Sequence, residues 1–193
     1  ETVDAVKFLF QSYLGPEHLV PSEPASLTRL EEELAQCGPD FGQSLTQPLG
    51  NDLCRLNLRP SQTAGLSPAT LNRLFFLTAR QFRGDRAAFE GALGQVRDFC
   101  LPGWPDFPAD YRRRGCPAVR HSSAYRARYR PAYRVVLARF GALVPVLAAI
   151  DRELARRDQV RLAIDGPCAS GKSTLARTLA DIDGCPVVHM DDF

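Results

Sequence analysis

Residues 166–174 read Gly-Pro-Cys-Ala-Ser-Gly-Lys-Ser-Thr, and Gly166 to Ser173 fit the pattern G-x-x-x-x-G-K-[ST] of a phosphate-binding loop. The residue types suit that chemistry. Gly166 and Gly171 free the backbone of Pro167, Cys168, Ala169 and Ser170 to curl, so that several N–H groups aim at one anion. Lys172 supplies a cation that reaches terminal phosphates, and Ser173 a hydroxyl for Mg²⁺. Only two of the 24 basic residues are lysines, Lys7 and Lys172, and one of them falls at the position the loop requires. A second candidate pair, Asp191 and Asp192, lies close behind. A carboxylate there is suited to accept a proton from a hydroxyl or to bind Mg²⁺ directly or through water. The competing interpretations are a glycine-rich turn with no ligand and a solvated acidic turn.

Positioning these residues requires a strand, a helix and a strand. Val160, Leu162 and Ile164 belong to a short apolar run that predicts a buried strand ending at Asp165, and Leu175, Ala176, Leu179 and Ala180 recur at helical spacing. Asp183-Gly184 is a turn signal, and Pro186 to Met190 predicts a second strand. Such a unit is expected to be parallel and right-handed, which brings both strand ends, and with them Asp191 and Asp192, to the edge that holds the loop.

The runs GPCASGKST and VVHMDDF together resemble the start of a uridine kinase-like P-loop kinase, the group of nucleoside kinases, pantothenate kinase and phosphoribulokinase relatives. Nucleoside monophosphate kinases share the loop but do not usually show Asp-Asp-Phe after the second strand. The resemblance covers about the last 35 residues, by the extent of these two motifs. It implies an α/β P-loop NTPase fold, ATP and Mg²⁺ as ligands, and transfer of a phosphoryl group to a small-molecule hydroxyl such as that of a nucleoside. By position, residues 166–174 then hold the phosphates and Lys172 acts in catalysis. Asp191 is the base, matched through the aromatic Phe193 two residues on, while Ser173 and Asp192 are the metal ligands. A whole mononucleotide-binding domain needs further strands and helices. The 193 residues are therefore expected to be a piece of a longer protein, itself inactive.

Composition sets bounds on the rest. The chain is 45% hydrophobic and 24% charged, with a net charge of +2, ordinary values for a globular protein. The longest apolar run, Ala142 to Ile150, is too short to span a bilayer, and acidic Glu1 and Asp4 stand where a signal peptide would be basic. The six scattered cysteines form no C-x-x-C pair, and a reduced, cytoplasmic setting is expected.

Ahead of the loop the pattern is mainly helical. Helices are predicted over residues 2–14, 25–37, 67–82 and 85–100. Thr28-x-x-Glu31 is read as a capping box, Ser67-Pro68 as a helix start and Asp85 as a cap. Residues 52–58 fit either a short helix or an extended piece, and Leu101 to Pro108 reads as a loop. Residues 1–100 are expected to form a helical module with its own small core. Residues 101–158 are expected to form a connector and a long helix, and 159–193 the start of the kinase domain.

Residues 111–150 contain no acid. They carry Arg112, Arg113, Arg114, Arg120, Arg126, Arg128, Arg130, Arg134 and Arg139, interleaved with tyrosines. Structural anchoring is the favoured reading. The alternative is an anion or nucleic-acid surface, the latter on a nucleotide-dependent switch or nucleic-acid-linked NTPase. The segment Tyr-Arg-Pro-Ala-Tyr-Arg (129–134) is similar to extensions that precede the loop in uridine kinase-like bacterial proteins. Pro131 is expected to open a helix running to about Arg157 and kinked or divided at Pro145. Its apolar seam, Val136, Phe140, Leu143, Leu147, Ile150 and Leu154, is read as core, with homodimerisation as the alternative.

Overall fold

Gly15 stops the first helix, α1 (Thr2–Leu14), by turning into the left-handed region at φ 59°, where its Cα lies against Phe82: a Cβ there would sit 2.6 Å from that ring. The computed structural model describes residues 1–16, 22–39, 42–96 and 106–190. Helix α2 (Glu23–Gln36) starts earlier than its sequence pattern suggests. Ser22 is its cap and accepts a hydrogen bond from the Ala25 amide at 3.3 Å. Thr28 is therefore not a capping residue. It lies inside the helix and donates back to the Pro24 carbonyl at 3.2 Å.

The chain then forms a hairpin, β1 (Thr46–Gly50) and β2 (Leu53–Asn57), paired antiparallel. Asn51 and Asp52 join the strands with φ of 49° and 59°, the left-handed pair that a tight two-residue turn demands. Pro48 is tolerated because β1 is an edge strand, and a register irregularity falls between Pro48 and Gly50. Residues 53–57, left open between helix and extended piece, are thus the central strand of the molecule. A short helix, α3 (Leu58–Thr63), follows.

Helices α4 (Pro68–Gln81) and α5 (Arg86–Val96) begin at the predicted caps, with Ser67 accepting from the Thr70 amide at 3.1 Å and Asp85 from the Ala88 amide at 2.9 Å. Asp106 to Pro108, expected within a loop, form the first turn of α6 (Asp106–Arg113), while residues 101–105 lie outside the described residues. Helix α7 (Ser123–Tyr129) is capped by Ser122.

The predicted helix from Pro131 to Arg157 divides in two. Tyr133 to Leu137 form β3, paired antiparallel with β2 from Tyr133 opposite Asn57 to Leu137 opposite Leu53, and only then does α8 (Ala138–Leu154) start. The apolar seam read straight across this junction because Val136 and Phe140 both face the core, one from a strand and one from a helix. The free ladder of β2 offers Val135 and Val136, both β-branched, hydrogen bonds that a helix would forfeit. Pro145 does not divide α8, although it removes the donor that the Gly141 carbonyl would otherwise meet. The loop helix, α9 (Lys172–Asp183), closes the order.

One core cluster runs from Leu30 through Leu56, Leu74, Val136 and Leu147 to Ile182, so packing continues across the predicted boundary near residue 100. The first hundred residues are not purely helical, and their strand β2 pairs with one contributed from residues 133–137. A smaller cluster gathers Val6, Phe10, Phe89, Leu93 and Tyr111. Phe89 stands edge-on to Phe10 and to Tyr111 at centroid distances of 5.9 and 6.4 Å.

Thr78 joins helix to sheet. Fully buried on α4, its Oγ1 donates to the Leu74 carbonyl at 2.8 Å and accepts from the Leu137 amide at 3.0 Å. Thr78→Val keeps the shape and strands that amide. Urea denaturation is expected to register a loss of about 1–3 kcal/mol, whereas an unchanged midpoint would show that the bond contributes nothing.

Candidate functional site

The glycine loop leads directly into α9, which starts on Gly171 at φ 87°, a conformation that supplies the turn but no capping side chain. The first intrahelical bond runs from the Leu175 amide to the Gly171 carbonyl at 2.9 Å. The N–H groups of Lys172, Ser173 and Thr174 therefore have no partner within the helix, and they point out of its positive end. Ala169 is also left-handed, at φ 60°, a rare state for a residue with a Cβ, which folds the loop back on itself. The Ser170 amide reaches the Pro167 carbonyl at 3.3 Å, and Asp165 Oδ1 accepts from the Gly166 amide at 2.7 Å.

Lys172 spans this curl. Its ammonium donates to the carbonyls of Gly166 and Pro167, both at 2.7 Å. Gly166, Pro167, Cys168, Ala169, Ser170 and Gly171 are exposed, and the Ser173 hydroxyl has no hydrogen-bond partner among the described residues. Uncapped helix amides and one cation thus lie together at an exposed glycine loop. That combination suits a phosphate chain, and the Ser173 hydroxyl beside it is a hard oxygen donor of the kind Mg²⁺ takes.

Helix α9 anchors the loop to the body of the molecule. Leu179 and Ile182 are buried in the main core, and Arg73 of α4 donates to the Asp181 carbonyl at 3.1 and 3.3 Å. Burial and the nearby Asp151 carboxylate push the Asp183 carboxyl up.

The flanking segments depart from expectation. Residues 160–165 and 186–190 were expected as adjacent parallel strands, but both run without sheet pairing. Leu162 and Val188 are 51% and 68% exposed, so neither stretch has the covered faces that a parallel strand requires. The sheet lies elsewhere and is antiparallel throughout. Asp191 and Asp192 lie outside the described residues. Among the described residues no three His, Cys, Asp or Glu side chains gather as a metal site, and no helix is long and apolar enough to cross a membrane.

The arginine-rich stretch separates into groups. Arg113 and Arg114 pair with Asp110 at 3.1 and 3.0 Å. Arg134 pairs with Glu33 and lies over the Phe75 ring, and Arg139 donates to Gln81. Arg120, Arg126 and Arg130 make no side-chain hydrogen bond or ion pair among the described residues, and all three line one concave surface.

Beneath them lies a buried polar chain that sequence alone does not reveal. His121 stacks on Tyr125 at 4.1 Å between centroids and contacts Asp4 Oδ1 at 3.0 Å through Nδ1. A carboxylate only accepts, so Nδ1 carries the proton. Nε2 then accepts from the Tyr133 hydroxyl at 2.6 Å, and Tyr133 accepts from Gln11 Nε2 at 3.0 Å. Gln11 Oε1 in turn accepts from buried Arg55 at 2.8 and 3.1 Å. Partners in this chain are up to 122 residues apart, a separation no local pattern can bridge.

No family model, no curated protein and no solved structure matches the chain.

The polar chain sets an acid limit on stability. Burial lowers the His121 pKa below the ordinary 6.5 and keeps the ring neutral, with the Asp4 hydrogen bond only partly offsetting this. Burial alone would raise the Asp4 carboxyl. The hydrogen bonds from Ser122 and His121, with the N-terminal ammonium, outweigh it and hold the group at about 2 against 3.8. Both shifts act in one direction. The unfolded chain takes up protons first, at His121 below 6.5 and at Asp4 below 3.8, so stability present at neutral pH is lost on acidification. Urea midpoints should fall as pH drops through 6.5 and again through 3.8 toward 2, and His121→Gln should flatten the first step. An unaltered pH profile in that variant would assign the first step to other groups.

Proposed function

We propose that the chain carries the nucleotide-binding start of an ATP-dependent phosphotransferase, which moves the γ-phosphoryl of ATP to the hydroxyl of a small molecule such as a nucleoside. The observation that carries this reading is the loop itself. A G-x-x-x-x-G-K-S sequence stands at the uncapped start of α9, with Lys172 folded across it. On this reading residues 159–193 belong to an α/β P-loop NTPase domain of the uridine kinase-like group.

The residues have distinct roles. Backbone amides of 167–174 hold phosphate oxygens, and the Lys172 ammonium exchanges its two loop carbonyls for the terminal phosphates. Ser173 and Asp192 would hold Mg²⁺, which would supply positive charge to the phosphate chain. Asp191 takes the proton of the acceptor hydroxyl as its oxygen bonds to phosphorus and the bond to the departing ADP oxygen breaks.

Binding is the first test. Fluorescent ATP with Mg²⁺ should bind the chain, and Lys172→Ala should weaken it by about tenfold to a hundredfold, the weight of a charge-assisted hydrogen bond. Ser173→Ala should abolish the gain in affinity that Mg²⁺ confers. Equal affinity in wild type and Lys172→Ala overturns the assignment of the loop. The chemical test, made on the full-length parent, is ADP release from Mg-ATP with nucleosides, pantothenate and sugar phosphates as acceptors. Asp191→Asn is expected to lose acceptor-dependent release while retaining ATP binding, and retained release removes Asp191 from the role of base.

A further inference from the structure

Two adjoining cavities open where α1, the segment 118–122 and the start of β3 meet. Their volumes are about 670 and 320 Å³, and Lys7, Glu33, His121, Pro131 and Ala132 line both. The larger is within the range of small-molecule sites, which run to roughly 300–1,000 Å³. Its lining is unbalanced in charge. Among the described residues four cations, Lys7, Arg120, Arg126 and Arg130, face it against one acid, Glu33, which is already paired with Arg134.

Lys7 is the informative member. It is one of the two lysines in the chain and projects from α1 with a single hydrogen bond among the described residues, to the Val119 carbonyl at 3.0 Å. An ammonium has three donors and no acceptor. No carboxylate lies within 4.0 Å of Lys7 among the described residues. Burial and the neighbouring Arg55 cation, only partly opposed by Asp4, disfavour its charge. Arg55, 4% exposed, donates to Gln11 and Gln47 and pairs with no carboxylate among the described residues. Half-buried Lys7 and the three exposed arginines around it together attract an anion that fills the concavity. At the rim, Arg130 is held at φ 40°, a left-handed position that favours glycine or asparagine, and closes α7 beside the cavity.

We propose that this cavity is a second anion site, independent of the glycine loop, which takes a small phosphate-bearing metabolite of at least two negative charges through Lys7, Arg120, Arg126 and Arg130. The guanidinium fork matches phosphate oxygens, and the concentration of positive charge suits a compact dianion or trianion. A nucleic-acid strand fits less well, because the other arginines of the stretch are not aligned with these. Arg113 and Arg114 are turned to Asp110, Arg134 to Glu33, and Arg139 to Gln81.

Inorganic pyrophosphate is the probe, titrated calorimetrically into the Lys172→Ala chain so that loop binding is weakened at the outset. Binding should persist there, and adding Arg126→Gln with Arg130→Gln should lower affinity about tenfold or more, the weight of one charge-assisted hydrogen bond. Arg120→Gln gives a second measurement. All three arginines are exposed, and thermal melting without ligand checks that each variant is folded. Absence of binding in the Lys172→Ala chain, or less than about a twofold change in the arginine variants, overturns the site. Succinate binding as tightly as pyrophosphate overturns the phosphate class. A single-stranded RNA that binds more tightly than pyrophosphate and depends on the same arginines makes the surface one for nucleic acid instead. Because the readout is made with the loop lysine removed, failure here and failure of the kinase reading are separable.

Discussion

The central strand β2 governs the molecule. Once Leu53 to Asn57 are extended and buried, both of its ladders must be filled, since unpaired backbone groups in a core cost several kcal/mol. One ladder is filled locally by β1 through a two-residue turn. The other is filled by β3, some eighty residues further on. That distant pairing draws the arginine-tyrosine stretch against α1 and brings α8 over the sheet. Gly141 of α8 passes so close that a Cβ would stand 2.7 Å from Cys54 Sγ of β2. A side chain there would separate helix from sheet.

The candidate phosphate loop is attached to this body by one helix. Leu179 and Ile182 bury one face of α9, Arg73 holds its last turn, and the exposed loop projects from its other end. Asp151 works from α8 in the same region, where its carboxylate accepts from the Ser67 amide at 2.7 Å and the Thr70 hydroxyl at 2.8 Å. It therefore caps α4, the helix on which α9 rests. The rigidity of the loop's base is thus a property of the α4–α8–α9 packing, while the loop conformation is local, built from Gly171, Ala169 and the bonds of Lys172.

Positive charge is divided between two places of different character. At the loop a single ammonium is satisfied by two carbonyls that an anion can replace. At the cavity beside α1, several cations share a concave surface above a chain of polar hydrogen bonds, with Glu33 the one acid beside them among the described residues. Most other arginines of the stretch are spent on nearby acids, amides and ring faces, which is why a run of nine produces a local concentration rather than a continuous stripe.

Sequence by itself determined what depends on neighbours along the chain. The loop motif with its following helix, the caps at Ser67 and Asp85, and the stops at Gly15 and Gly184 are all decided within one or two turns of backbone. Tertiary structure decided the rest. The apolar pattern around Val136 suits a helix as well as a strand, and only the open ladder of β2 selected the strand. Residues 160–165 and 186–190 have the composition of strands but run unpaired, because composition supplies a preference and pairing needs a partner. The Asp4–His121–Tyr133–Gln11 chain and the cluster about Lys7 join residues more than a hundred positions apart. Such contacts arise when the core closes, and no periodicity in the chain announces them.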